Sequence, residues 1–508
     1  MLFKNAYTSV SRTAAPTKRS TVVNFTTGRK GVTKENLIAV MNDRVQRTLL
    51  IEPLEYKKNT LYTWFAQVEQ QPYSMLLDSA ADTDGRYHIM VWSPRWIVTA
   101  KNNEVTVRDC NAGTTTVQSE APLACVDALM NKTMTDNIAL PDNQELYNTL
   151  PFVVGAAGLC GYDLGRYYES LPEKNKKSYG CPDMAIGIFE QSVIADTHTG
   201  QLYHCRFSDI PPLSEQLSLD TSSPGTTQSF TLTSDWSSNL TQAQYNDALE
   251  KVHAYIVAGD CYQINMAQRF CAQYTGSEWQ AYEALREKNN TPFSAFIRLP
   301  ESCVMSISPE RFLSVRDNQV QTKPIKGTRP RFDDPTEDAN SAKALLNAEK
   351  DRAENLMIVD LLRNDLSKHC KAHSVKVPHL FALESYAAVH HLVSTIEGTL
   401  KDEATALDLL AGAFPGGSIT GAPKIRAMEI IEELEPDRRN IYCGSIMYYG
   451  IKRDMDSSIT IRTLLAENNH LYCWAGGGIV LDSNARDEYQ ETLDKVSRIL
   501  PALEAFRE

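Results

Sequence analysis

The stretch SDIPPLSEQLSLDTSSPGTTQSF, residues 208–230, is the strongest constraint on how this chain can fold. It is dense in Ser, Thr and Pro, which favour turns and supply no periodic apolar face, so it reads as a linker. The chain has 508 residues, more than one hydrophobic core usually serves, so two domains or one large composite fold are expected. Upstream, YHIMVWS (87–93) and NNEVTVRD (102–109) read as strands and PLACVDALMNKTM (122–134) as a helix. Downstream, NLTQAQYNDALEKVHAYIVAGD (239–260) reads as an amphipathic helix, capped by Thr241 and stopped by Gly259. Helix and strand signals then alternate to the end. The expected fold is α+β, with two intimately joined parts: residues 46–207 and 236–508, connected through 208–235.

The net charge of −12 argues against general nucleic-acid binding, and an anionic substrate would need a locally basic pocket or a metal. The eleven cysteines are scattered without a C-x-x-C pair, a pattern of reduced, buried thiols in a cytosolic, hence cytoplasmic, setting. The most apolar run, LPFVVGAAGLCGY (150–162), is too short to span a bilayer. The first 34 residues are basic and hydroxyl-rich, with no acid before Glu35. Residues 1–45 therefore read as an extension that does not fold: a transit peptide, a disordered tail, or the product of an unused start ahead of Met41.

Several stretches could carry chemistry. In KDRAENLMIVDLLRNDL (350–366), Asp351 and Glu354 share a helix face; in RDEYQETLDKVSRIL (486–500), Glu488, Glu491 and Lys495 line another. Each face by itself reads first as a solvated, salt-bridged surface; the functional reading is a hard-cation site shared between the two helices. The turns FPGGSITGAPKIRAMEII (414–431) and WAGGGIVLDS (474–483) would let backbone amides approach an anion, although neither has a Walker ending. DSSITIRTLLAE (456–467) alternates as one strand with Arg462 on an apolar face, where a charge must find a partner. His390 and His391 are embedded in the apolar AAVHHLVSTI, as satisfied core histidines or with an acid/base or hydrogen-bonding role for one of them. In QTKPIKGTRPRF (321–332), Lys326 lies between Pro324 and Gly327 with Arg329 and Arg331 close behind, an unusually stiff and basic setting for a lysine.

Taken in order, SISPERFLSV, PIKGTRPR, DRAENLMIVDLLRNDL, HHLVSTIEG, GGSITGAPKIRAMEIIEELEP, SITIRTL, AGGGIVLDS and EYQETLDK resemble the chorismate-utilising enzyme family. The resemblance runs from about residue 235 to the end and extends upstream to SMLLDSA (74–80) and GLCGYDLGRYYESLP (158–172). It implies large β-sheets flanked by helices, an α/β sandwich with a chorismate cleft between the two parts. Gln263 stands where water-using relatives carry a lysine general base, which implies an ammonia-using member. Lys326 stands where anthranilate-forming relatives carry alanine, which implies the folate branch that makes 4-amino-4-deoxychorismate, the precursor of 4-aminobenzoate.

The resemblance assigns Lys326 as covalent nucleophile and Glu310 as the acid that protonates the departing hydroxyl. Glu354, Glu488 and Glu491 match ligands of Mg2+. Arg462, Tyr442, Gly476 and Gly478 match the site of the enolpyruvyl carboxylate. His391, Ser418 and Lys495 match other pocket residues, and Gln263 lines the same site. Ser418 replaces the threonine of anthranilate synthases and keeps the hydroxyl. Arg329 and Arg331 are expected to help hold Lys326 neutral. Leu77 and Ser79 resemble the lining of a tryptophan pocket. No G-x-C-x-G segment is present, which implies a separate glutaminase subunit as the ammonia source. The alternatives are an anthranilate synthase component I, and a non-catalytic regulator that binds tryptophan or a glutaminase. Neither a nucleic-acid nor a membrane partner is expected.

Overall fold

The apolar run 150–162 becomes the buried strand Gly155–Cys160, with side chains covered at every position. Two antiparallel neighbours flank it, Met184–Phe189 and Ser445–Gly450. Its small residues permit this: a Cβ on Gly158 would lie 2.1 Å from the Ala185 carbonyl oxygen. The computed structural model describes residues 46–507, apart from 58, 80–84, 136–137, 176–177, 220–227 and 387–388. The extension expected at 1–45 lies outside the described residues, as does the middle of the 208–230 stretch.

Among the described residues the strands form two large sheets, of 14 and 12 strands. Both draw on each half of the chain. In the first, Phe293–Arg298 pairs with Met75–Asp78, placing Ala295 opposite Leu77. In the second, Ser445–Gly450 pairs with Gly155–Cys160. Gln46–Glu508 is accordingly one compact unit, and 208–235 connects two interleaved parts of a single body. The described ends of that stretch are packed: Leu213, Leu217, Phe230 and Leu232 are all buried. The largest apolar core takes side chains from both sheets, among them Val98, Leu159, Ile297, Val304 and Met447. This is the α+β sandwich expected, with its parts joined through hydrogen-bonded sheet.

Helices cover the sheets where the sequence signals place them. Gln242–Ala258 begins with a reciprocal Thr241–Gln244 capping box and ends at Gly259, whose φ of +83° suits glycine. Such a cap contributes about 1 kcal/mol. Glu349–His369 packs on strand Val389–Thr399, and Ala485–Val496 packs on strand His470–Ile479.

One strand expectation needs correction. DSSITIRTLLAE is two strands: Met455–Ile459 belongs to the second sheet and Thr463–Glu467 to the first. The chain changes sheet between them, and Arg462 takes the left-handed φ of +52° at the turn. A parallel event occurs at SISPERFLSV, where Ser302–Ser308 is in the first sheet and Arg311–Arg316 in the second. Glu310 lies at that crossing. The two crossings are stitched together, since Ile459 N donates to the Glu310 carbonyl at 3.0 Å and Ile307 N to the Arg462 carbonyl at 3.0 Å. Period-2 alternation runs through both crossings, so it could not reveal them.

Candidate active site

The paired crossings bring an acid and a base into one neighbourhood. Glu310 is 7% exposed, and burial raises its carboxyl above the usual range, opposed by the charge of Lys326. Its Oε1 accepts from the Ser418 hydroxyl at 3.4 Å. Lys326 Nζ donates to the Ser418 carbonyl at 3.1 Å. Ser418 therefore touches both groups, from a buried turn, Gly417–Ile419.

Lys326 is aimed by an irregular strand. Ile325–Pro330 pairs with Val389–Thr399, but the register shifts between Ile325 and Thr328, around Lys326 and Gly327. Such a bulge re-aims a side chain. Gly327 has φ +82°, and a Cβ there would meet Leu345 Cδ1 at 2.8 Å and Asp351 Cγ at 2.9 Å. The two arginines of the loop do not crowd the lysine as bare charges. Arg329 pairs with Asp351 at 3.1 Å and Arg331 with Asp338 at 2.8 Å. Each guanidinium is drawn to its own acid, so the expected help in keeping Lys326 neutral has no support in this geometry.

The three glutamates come from two helices and face a common region. Burial raises the Glu354 carboxyl; Lys326 and Lys350 oppose the shift, while Glu491 and Glu488 add to it. Glu488 is buried and accepts from Ser483 Oγ at 2.6 Å and Lys350 Nζ at 3.2 Å. Burial pushes Glu491 upward, but Lys495, Lys350 and Lys326 together bring it below the usual value. Lys495 lies 2.7 Å from Glu491 and donates to the Gly476 carbonyl at 2.7 Å. Among the described residues no three His, Cys, Asp or Glu side chains stand grouped to hold a metal ion. The donor chemistry nevertheless suits a hard cation: three carboxylates, with the charges of Glu488 and Glu491 helping to raise Glu354, and with Lys350 on Glu488 and Lys495 on Glu491 as counter-charges.

Arg462 completes the charged group. Burial, with the Arg498 charge, pulls its guanidinium below the ordinary arginine range, and Glu310 offsets this. Among the described residues no carboxylate or carbonyl pairs with that guanidinium. His391 is buried and shares a 2.8 Å hydrogen bond between Nδ1 and Thr328 Oγ1. Burial and the Arg462 charge lower His391 to about 4, so it is neutral near pH 7. His390 lies elsewhere, between Ser385 at 2.8 Å and Asp338 at 3.0 Å. The structure thus separates the two histidines.

Tyr442 is buried and stacked parallel to Trp474, with no contact to Arg462 among the hydrogen bonds and ring contacts of the described residues. Gly476 and Gly478 lie on the strand beside Gln263: a Cβ on Gly478 would fall 2.0 Å from Gln263 Nε2. Gln263 is 1% exposed and its Oε1 has no partner among the described residues. Leu77 and Ser79 lie outside this group, on the wall of a cavity of about 460 Å3 that also takes in Phe293, Ser294 and Tyr448. Pro309 and Ile325, the residues preceding Glu310 and Lys326, form part of the same wall.

The sequence model of chorismate binding enzymes matches residues 74–501, most of the chain and all of the site above. The chain belongs to this family. Aminodeoxychorismate synthase component 1 of Escherichia coli (strain K12) is 48% identical over 453 residues, covering 89% of this chain and 98% of that protein. Anthranilate synthase component 1 of Neisseria meningitidis (serogroup C) is 31% identical over 496 residues, covering 94% and 99%. Among solved structures, anthranilate synthase component I from Streptococcus pneumoniae TIGR4 superposes with a TM-score of 0.71 at 30% identity, covering 82% of this chain and 92% of that one. The isochorismate synthase MenF from Escherichia coli reaches a TM-score of 0.67 at 16% identity over 92% and 98%, a likeness of fold.

Several residues around this chorismate-family site were not singled out from sequence. Lys350, the partner of Glu488, reads there as an ordinary helix lysine, and Thr328, the partner of His391, as part of the stiff loop around Lys326. Glu435 and Arg439 are buried together at 5% and 2% exposure. Their i, i+4 spacing in EELEPDRRN is visible, but that spacing is equally common on wet surfaces.

Proposed function

We propose that this chain aminates chorismate to 4-amino-4-deoxychorismate, the precursor of 4-aminobenzoate in folate synthesis. The observation that carries the reading is the Lys326–Ser418–Glu310 cluster, in a chain 48% identical to proteins named aminodeoxychorismate synthase component 1. Replacement of the C4 hydroxyl by an amine with retained configuration needs two displacements. The Lys326 amine, after losing a proton, attacks C2. Both conjugated ring double bonds shift, C1=C2 to C1=C6 and C5=C6 to C4=C5, and the C4 hydroxyl leaves as water, protonated by Glu310. Ammonia then enters at C4, both double bonds shift back, and the lysine is expelled from C2 as the neutral amine once protons are returned. Covalent catalysis of this kind replaces one difficult step by two easier ones.

The raised Glu310 carboxyl suits a group that must still hold a proton near neutral pH. Arg462, with no paired carboxylate or carbonyl among the described residues, is suited to the enolpyruvyl carboxylate, and Tyr442 and the amides near Gly476 and Gly478 are proposed to share that role. His391, neutral, and Lys495 are proposed to hydrogen-bond the ring and its carboxylate, and Gln263 to line the same site in place of the lysine base of water-using relatives. Glu354, Glu488 and Glu491 would hold Mg2+, which when bound would neutralise the ring carboxylate. A separate glutaminase subunit is proposed as the ammonia source, and "component 1" in the relatives' names supports a partner. The 460 Å3 cavity beside the site, with Leu77 and Ser79 on its wall, is proposed to take tryptophan. All eleven cysteines are free thiols, and a cytoplasmic setting is proposed on that basis.

The deciding experiment is product identification by mass after incubation of the purified chain with chorismate, magnesium and ammonium. A non-aromatic aminated product is expected. Fluorescent anthranilate would place the chain with its 31%-identical relatives, and no turnover at saturating ammonium would make it a binding protein. Lysine-adduct trapping should succeed in the native chain and fail in Lys326→Ala.

A further inference from the structure

Among the described residues, strand Gln263–Thr275 has one edge without a partner strand at Asn265–Ala267, between its short pairings with Gly421–Ala422 and Ser237–Ser238. Exposed backbone groups on such an edge must be satisfied by something else. Glu435 accepts from Ala267 N at 2.9 Å, and Arg439 Nη2 donates to the Asn265 carbonyl. The two side chains also pair with each other, Nε to Oε2 at 2.9 Å and Nη2 to Oε1 at 2.6 Å. The remaining arm of the fork, Nη1, donates to the Ile419 carbonyl at 2.9 Å. The guanidinium carbon lies 4.9 Å from the Tyr162 ring centroid and 5.5 Å from that of Tyr442.

Three of the segments this pair contacts carry a residue of the site. Ile419 follows Ser418, which touches both Lys326 and Glu310. Asn265 lies two residues after Gln263, and Tyr442 stacks on Trp474. We propose that Arg439, locked by Glu435, is a positioning residue: by fixing the Ile419 carbonyl it holds the Ser418 turn where one residue reaches nucleophile and acid together. The proposal rests on the reading that Lys326 and Glu310 carry the chemistry. Lysine cannot replace the arginine, because a point ammonium lacks the planar fork that spans two carbonyls and a carboxylate.

The test uses the full chain with chorismate, magnesium and ammonium. Arg439→Lys should lower kcat by about tenfold or more while KM for chorismate stays within about threefold, the signature of a misplaced reacting group. Glu435→Gln should move kcat in the same direction, by about threefold. Arg298→Lys, in a buried ion cluster away from the site, controls for stability: at a matched loss of Tm its kcat should stay within about twofold. The proposal is overturned if the folded Arg439 and Glu435 variants keep native kcat, if Arg298→Lys lowers kcat equally, or if neither variant folds and the pair is only structural. Lys326→Ala separates this from the reading beneath it. Turnover surviving in Lys326→Ala breaks that reading; turnover lost there but unaltered in Arg439→Lys breaks the present proposal alone.

Discussion

Arg298 and Arg462 are both sheet-associated arginines removed from bulk water, and their surroundings push them in opposite directions. Arg298 ends strand Phe293–Arg298 and meets Glu69 at 2.8 Å and Glu278 at 3.2 Å, with Nε on the Glu69 carbonyl at 3.0 Å. Burial disfavours its charge, but Cys303 and the two acids together outweigh that and raise it. Arg462 stands at a crossing between sheets, and burial with Arg498 lowers it. The first arginine is part of the scaffold, complete in itself. The second has no carboxylate within pairing distance among the described residues, an arrangement that suits a charge meant to meet an anion from outside.

The contrast breaks most directly at Arg462. Arg462→Ala should cost about 4 kcal/mol of substrate recognition, roughly 10^3-fold in kcat/KM. Its Tm should hold or rise, because an unpaired charge is removed. Steady-state kinetics beside a thermal melt decides: a collapsed Tm with native kinetics would make Arg462 structural. Arg298→Ala is the mirror image. It leaves Glu69 and Glu278 buried without their counter-charge, for a stability loss of about 3 kcal/mol. Below the melting transition, KM for chorismate should be unchanged.

How far this contrast could be read from sequence depends on which interactions are local. Helix Gln242–Ala258 was legible because its cap, periodicity and stop lie within one stretch. Glu310, Lys326, Ser418 and Arg462 were legible as members of motifs, but their convergence was not. It depends on two strands leaving one sheet for the other side by side, at Pro309–Glu310 and Thr460–Arg462, while alternation continues through both. Arg329 and Arg331 were misjudged for a related reason. Their acids, Asp351 and Asp338, belong to helices reached only after the loop folds back. Arg298, the more buried of the arginines compared here, gave no signal at all, since Glu69 is 229 residues away.

The comparison extends to carboxylates. Glu69 has a full arginine partner, whereas Glu310 has a hydroxyl at 3.4 Å and a carboxyl that burial raises. Loss of general-acid help in Glu310→Gln should lower kcat by about 10^2-fold. Stability should respond the other way. A raised folded-state pKa means the native contribution of Glu310 is fullest below its unfolded value, near 4.3, and is lost as pH rises through the folded value. Glu310→Gln should therefore match the native Tm near pH 5 and exceed it at pH 8. A Tm deficit that grows with pH would show that the ionised carboxylate is well satisfied, and would remove the case for it as an acid.

The smallest expected effect compares two glycines. Gly113 and Gly327 both have left-handed φ, +67° and +82°, but a Cβ on Gly113 meets nothing within 4 Å. Gly113→Ala should cost only the backbone strain, about 1 kcal/mol, with activity unchanged. Gly327→Ala carries the same strain and also drives a methyl against Leu345 and Asp351, for about 2 kcal/mol. Since Gly327 adjoins Lys326 at the register shift, relief of that clash moves the lysine away from the Ser418 carbonyl. Turnover should fall by about tenfold in Gly327→Ala beyond any loss in Gly113→Ala. Equal activities in the two variants would mean that the bulge only accommodates Lys326 and does not aim it.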